Sequence, residues 1–243
     1  MPPTSVSGLI TKLRVMGRIK LGTESNGGFR NITISNCVVD DCRGIALETV
    51  DGGLLEDVSI SNIKMRDITN VSFFMRLGAR MRGPEGTPVG YLRRVLVSNV
   101  LVSNADSRQS ALITGIPGHN IEDVKFSNVC IEHQGGGTKD SASSIPPENE
   151  TGYPEPNRFG PMPAQGFFIR HVKGIEMRDV EIRSLREDSR PAFVLEDVNS
   201  AEFIHAQCEG FQNLAEWNHT RHLPGTGGAK PAVNPSKESN FFN

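Results

Sequence analysis

Arg18 and Lys20 stand two residues apart in Gly17-Arg18-Ile19-Lys20-Leu21-Gly22, and in an extended strand that spacing puts both on one face. Arg presents a planar fork of donors that matches a carboxylate, and Lys adds a compact charge beside it. The pair suits an anionic ligand, although a solvated strand face reads the same way. Glu24 follows at the bend. In Arg43-Gly44-Ile45-Ala46-Leu47-Glu48 the carboxylate of Glu48 falls near Lys20 and Glu24 if consecutive units stack. It then either faces the ligand or forms an ion pair between units. The segment Met75-Arg76-Leu77-Gly78-Ala79-Arg80-Met81-Arg82 concentrates three arginines, a density that suits a sugar acid or sulfate as well as a charged solvated face. His119, in the turn Gly115-Ile116-Pro117-Gly118-His119, is either a structural or a binding histidine. Candidate acid and base groups are Asp40, Asp41, Glu24 and Glu48. Inverting hydrolysis of a glycosidic bond needs two carboxylates about 6.5–9.5 Å apart. The Asp40-Asp41 pair falls on a turn after the strand at 33–39, rather than in an evident groove.

The elements that position these groups form a repeat. Asn31-Ile32-Thr33-Ile34-Ser35-Asn36 returns as Asp57-Val58-Ser59-Ile60-Ser61-Asn62, as Arg94-Val95-Leu96-Val97-Ser98-Asn99 and as Asp123-Val124-Lys125-Phe126-Ser127-Asn128. Looser copies run 176–180 and 203–207. The marker positions Asn36, Asn62, Asn99, Asn128, Asp179 and Gln207 are 26, 37, 29, 51 and 28 residues apart. Each copy alternates apolar and polar residues, the period of a half-buried strand. Strand-only units of uneven length predict an all-β fold, a right-handed parallel β-helix whose longer units carry extended loops. An inward Asn at each corner, bonded to the Asn one coil away, is the expected ladder.

Residues 17–222 are expected to form the helix, with 1–16 an irregular segment and 223–243 a disordered tail. A Gly-, Pro- and Ser-rich loop at 134–166 is either disordered or one wall of a cleft. The first coil, with no cap before it, predicts missing N-terminal coils and edge-to-edge self-association. The net charge of −2 gives no basic footprint for nucleic acid. No apolar run is long enough for a membrane helix. Cys37, Cys42, Cys130 and Cys208 have no metal-ligand spacing, so free, mostly buried thiols and no metal or other cofactor are expected.

The segments 17–28, 43–53, 72–83 and 116–124, with Tyr153-Pro154-Glu155-Pro156 and Phe159-Gly160-Pro161-Met162-Pro163, resemble glycoside hydrolase family 28, the polygalacturonase-like enzymes. They resemble in particular a bacterial branch of that family acting on pectic or rhamnogalacturonan chains. The resemblance spans 17–200 and implies a pectin-lyase-like solenoid, an acidic plant-type polysaccharide or oligosaccharide as partner, and export to the periplasm or beyond. No signal pattern stands at residue 1. It also implies that the family's catalytic aspartates lie on coils before residue 1, with Gly17 where that family has a histidine. Arg18-Ile19-Lys20 spells the family's substrate clamp one coil upstream of the aligned Ala46-Leu47-Glu48. Two functions follow: a pectic hydrolase whose catalytic site is incomplete in this chain, or a non-catalytic β-helix that binds acidic polysaccharide. In both, Arg18, Lys20, Glu24, Glu48, Arg76, Arg80, Arg82 and His119 are the expected substrate-binding residues.

Overall fold

The computed structural model is a parallel β-helix. It describes residues 17–208 apart from 25, 107 and 109, together with the strands at 4–7 and 220–223. The strands in chain order are β1 (Thr4–Ser7), β2 (Ile19–Leu21), β3 (Phe29–Asp40), β4 (Ile45–Thr49), β5 (Leu54–Arg66), β6 (Phe73–Leu77), β7 (Tyr91–Ala105), β8 (Ala111–Thr114), β9 (Ile121–His133), β10 (Phe167–Ser184), β11 (Phe193–Ile204), β12 (Gln207–Cys208) and β13 (Thr220–Leu223). They form two parallel stacks. A long-strand stack runs β1-β3-β5-β7-β9-β10-β11, and a short-strand stack runs β2-β4-β6-β8 before meeting the first residues of β10 and β11. Strand β10 belongs to both: Phe167–Arg170 pairs with β8, and Val172–Ser184 pairs with β9.

Single left-handed residues bend each long strand. Positive φ occurs at Asn31, Asn36 and Asp41, then at Asp57, Asn62 and Asp67, then at Arg94, Asn99 and Asn104. Asn and Asp tolerate that conformation better than other residues with a Cβ, which explains why every clear copy of the phrase ends with Asn and three of the four begin with Asn or Asp, Arg94 being the exception. Asn62 donates to Asn36 at 3.1 Å, Asn99 to Asn62 at 3.2 Å and Asn128 to Asn99 at 2.8 Å. The ladder therefore exists, but it points outward: all four side chains are exposed. The expectation of an inward ladder fails because an outward αL corner leaves the inward positions to apolar residues. On the last coil the corner residue is His205, not Gln207; it has φ 52° and its Nδ1 lies 3.2 Å from Asp179 Oδ1.

Inward columns build the core. Ile32, Val58, Val95, Val124, Ile175 and Ala201 stack in register, as do Ile34, Ile60, Val97, Phe126, Met177 and Phe203. Phe73, Phe126, Phe167, Phe193 and Phe203 continue ring to ring along the axis at 5.0–5.8 Å. Cys37 and Cys42 are buried in this region, and Cys130 and Cys208 are half-buried. Thr4–Ser7, in the segment expected to be irregular, pairs with Ile32–Ser35 as one further rung. The expected disordered tail from 223 lies outside the described residues beyond Leu223.

The loop at 134–166 is ordered. It contains a one-turn helix, α1 (Lys139–Ala142), closed by a Thr138–Ser141 capping box, and a 3₁₀ turn at Pro156–Phe159. Among the described residues no helix is long and apolar enough to cross a membrane.

The ladder gives the first test. Asn99→Ala, which strains an αL corner and removes ladder bonds on both sides, is expected to cost about 1–2 kcal/mol. Asn99→Gly should cost clearly less, because glycine adopts that φ freely. Urea unfolding of the two variants checks this, and equal losses would show that the corner conformation does not select the residue.

Candidate functional site

Two columns of side chains face outward from the short-strand stack. Ala46, Phe74, Leu112, Phe168 and Val194 share one register. Glu48, Arg76, Thr114, Arg170 and Glu196 share the next but one. An outward column of apolar residues would be an exposed patch, but the loop at 134–166 lies over it. Phe159, Met162 and Ala164 close onto the first column as a second buried cluster. The loop is thus neither disordered nor the wall of an open cleft over this face.

The charged column fastens that loop. Arg76 donates through Nη1 to Thr114 Oγ1 at 3.1 Å and to the Gly115 carbonyl at 2.9 Å. Through Nη2 it donates to the carbonyls of Glu148 at 2.8 Å and Asn149 at 2.9 Å. Its guanidinium lies 5.2 Å from the Phe159 ring centre. Only 1% of Arg76 is exposed, and burial pulls its pKa down to about 10. Arg170 repeats the arrangement: it donates to Glu196 at 2.8 Å and to the Pro146 carbonyl at 2.9 Å, and pairs with Glu148 at 3.2 Å. His171, at the bend of β10, lies 2.6 Å from Asp197 and 3.2 Å from Glu148. Arg76 was expected to hold a ligand. Among the described residues its hydrogen bonds go to neutral acceptors of the chain itself, where unpaired carbonyls under the loop would be costly.

Beyond the covered part, at the β2 end of the same face, lies a mixed charged patch. Glu48 is fully buried; Lys20 pairs with it at 2.8 Å, Thr23 donates to it at 2.9 Å, and Arg18 stands 3.7 Å away. Burial raises the Glu48 pKa, against the opposing pull of Lys20. Glu155, from the loop, accepts from Arg18 at 3.1 Å, from Asn70 at 3.3 Å and from Arg43. Arg80 forms a two-pronged pair with buried Asp51, and the Arg82 amide adds a bond to the same carboxylate at 3.1 Å. The hydrogen bond from Arg80 holds the Asp51 pKa below the usual carboxylate range. The Tyr153 ring, 48% exposed, lies 5.5 Å from Lys20 Nζ and 5.5 Å from the Arg80 guanidinium.

The expected site residues therefore divide. Arg18, Lys20, Glu24, Glu48, Arg80 and Arg82 do come together, with Glu24 3.6 Å from Arg80 and 74% exposed. Glu48 takes the ion-pair alternative, held by Lys20, and Arg80 is likewise paired with Asp51. His119 sits exposed on the turn between β8 and β9, and its backbone exchanges two hydrogen bonds with Ile116. Asp40 is tied to Arg66 of the next coil at 2.9 Å, and Asp41 occupies the αL corner before β4. That arrangement serves coil stacking and does not present two carboxylates to one groove. Sequence reasoning missed Arg43, Asp51, Asn70, Tyr153, Glu155 and Arg170. One sequence signal for the last exists: Phe73-Phe74-Met75-Arg76 and Phe167-Phe168-Ile169-Arg170 share a phrase.

Among the described residues no three His, Cys, Asp or Glu side chains gather as a metal site. Neither family models, nor curated proteins, nor solved structures give a match to this chain.

Two variants test the division. Arg76→Leu should release the loop, with faster amide exchange at 148–150 while the long-strand stack stays protected; unchanged exchange would contradict the clasp. Arg80→Ala strands a buried carboxylate and should cost about 3 kcal/mol near neutral pH. The Asp51 pKa is depressed in the folded state, so its stabilisation is present above the unfolded carboxylate pKa and disappears as pH falls through the folded value. The stability gap between wild type and Arg80→Ala should accordingly narrow on acidification. A gap independent of pH, measured by denaturant unfolding, would rule out this account.

Proposed function

We propose that this chain is a polygalacturonase-like β-helix of the glycoside hydrolase family 28 type, which holds an acidic pectic saccharide at the β2 end of its covered face. The observation that carries the reading is the group of partly open cations there. Lys20, Arg43 and Arg82 keep solvent exposure, and Lys20 lies beside the open Tyr153 ring. A uronate offers a carboxylate for such cations and an apolar ring face for an aromatic side chain. The phrases shared with polygalacturonase-like enzymes support the same substrate class, polygalacturonate or rhamnogalacturonan.

Cleavage is the finer part of the proposal. O-glycosyl hydrolysis needs an acid and a base across one groove. Of the candidate carboxylates, Glu24 is open at this patch, Glu48 is buried, and Asp40 is paired with Arg66. That distribution favours holding the saccharide, with binding without turnover as the second reading.

Lys20→Ala is expected to weaken binding of oligogalacturonate roughly tenfold, the loss of one charge-assisted contact, and to leave a neutral glucan oligosaccharide unaffected. Titration calorimetry checks this. Equal effects on both, or none on either, would rule out acidic-sugar recognition here. Reducing-end release from polygalacturonate and rhamnogalacturonan separates cutting from holding.

A further inference from the structure

Glu155 occupies a place shaped for a carboxylate that is not its own neighbour in the chain. Its donors come from the corners of three successive coils: Arg18 before β2, Arg43 before β4 and Asn70 before β6. All three converge on one oxygen, Oε1. Among the described residues Arg18 Nη1 is buried with no hydrogen-bond partner, held only in an ion pair with Glu48 at 3.7 Å. Arg43 is 29% exposed, which gives solvent access to the cradle. The loop presents the carboxylate rigidly: Glu155 lies between Pro154 and Pro156 in extended geometry, φ −136° and ψ 131°. A residue before proline favours that region, so little conformational entropy is lost in the docking.

We infer that Arg18, Arg43 and Asn70 form a carboxylate-binding cradle that Glu155 fills as a built-in occupant, and that the loop competes through it with a carboxylate-bearing saccharide. The competition rests on the acidic-saccharide reading above; the cradle itself does not. An occupant on the same chain acts at a high effective concentration, so an external carboxylate binds only as the 153–156 segment gives way. The anchors at Glu148, Asn149 and Pro146 are separate from Glu155, and the loop can release this segment while keeping them.

The test uses acetate and trigalacturonate on the full chain. Glu155→Ala empties the cradle, whereas Glu155→Gln fills it with an amide. Acetate should raise the thermal midpoint of Glu155→Ala in a saturable way, beyond chloride at equal ionic strength. It should have no such effect on wild type or on Glu155→Gln. Trigalacturonate should bind Glu155→Ala about tenfold more tightly than wild type, the advantage of removing an intramolecular competitor. No acetate-specific stabilisation of Glu155→Ala overturns the cradle. Acetate binding with unchanged trigalacturonate affinity overturns the competition. Failure of the acidic-saccharide reading shows separately, as trigalacturonate binding that Lys20→Ala does not alter. Should Glu155→Ala not fold, amide exchange in wild type decides: trigalacturonate must speed exchange at 153–158, and no change overturns the inference.

Discussion

Laying a loop across a β-sheet carries backbone carbonyls into an apolar contact, where each needs a donor that the loop cannot supply. Arg76 and Arg170 answer that need from the sheet side. Between them they bond the carbonyls of Pro146, Glu148 and Asn149. A guanidinium suits this role because its donors lie in one plane while its faces remain apolar enough to rest on Phe159 and Phe168. The apolar part of the contact, from Phe159 and Met162 onto Phe74 and Phe168, is possible only once those carbonyls are bonded. The positions of Tyr153 and Glu155 follow from the same anchors.

Coil stacking makes these arginines possible. Parallel register repeats a position at every coil, so a change at one rung meets partners fixed by the rungs beside it. Glu48, Arg76, Thr114, Arg170 and Glu196 form one such column, in which each guanidinium has a hydroxyl or carboxylate on a neighbouring coil. Like charges in adjacent rungs are avoided there, because Thr114 separates the two arginines. On the outer corners the rule runs through Arg30, Arg93 and Arg94, which share Glu56.

The fold was legible in the sequence because its determinants are local and repeated. Ser-Asn endings mark corners, and alternating apolar residues mark inward columns. The direction of the ladder was not legible, since Asn suits either side of a corner by hydrogen bonding and only the αL backbone decides. The approach of Glu48 to Lys20 was legible from coil spacing, whereas Arg80 joined them only through the family resemblance. What hid their state was the loop. Nothing within the strands reveals that residues 134–166 fold back over Arg76, so an outward arginine reads as solvent-facing when it is buried. Glu155 stands out in the sequence only as part of a family phrase, because its partners lie 85–137 residues away in the chain.

Charge balance decides what the patch at the β2 end can recognise. Five cations, Arg18, Lys20, Arg43, Arg80 and Arg82, meet four carboxylates, Glu24, Glu48, Asp51 and Glu155. A patch so nearly neutral does not draw anions from a distance by its net field. Its selectivity must come from short-range exchange, in which an incoming carboxylate replaces one already present. Asp51 and Glu48 are buried and cannot be exchanged without stranding Arg80 or Lys20. Glu24 has one long contact and little to release. Glu155 combines strong partners, a surface position and a tether that can yield, so on the proposed reading ligand exchange falls to that carboxylate.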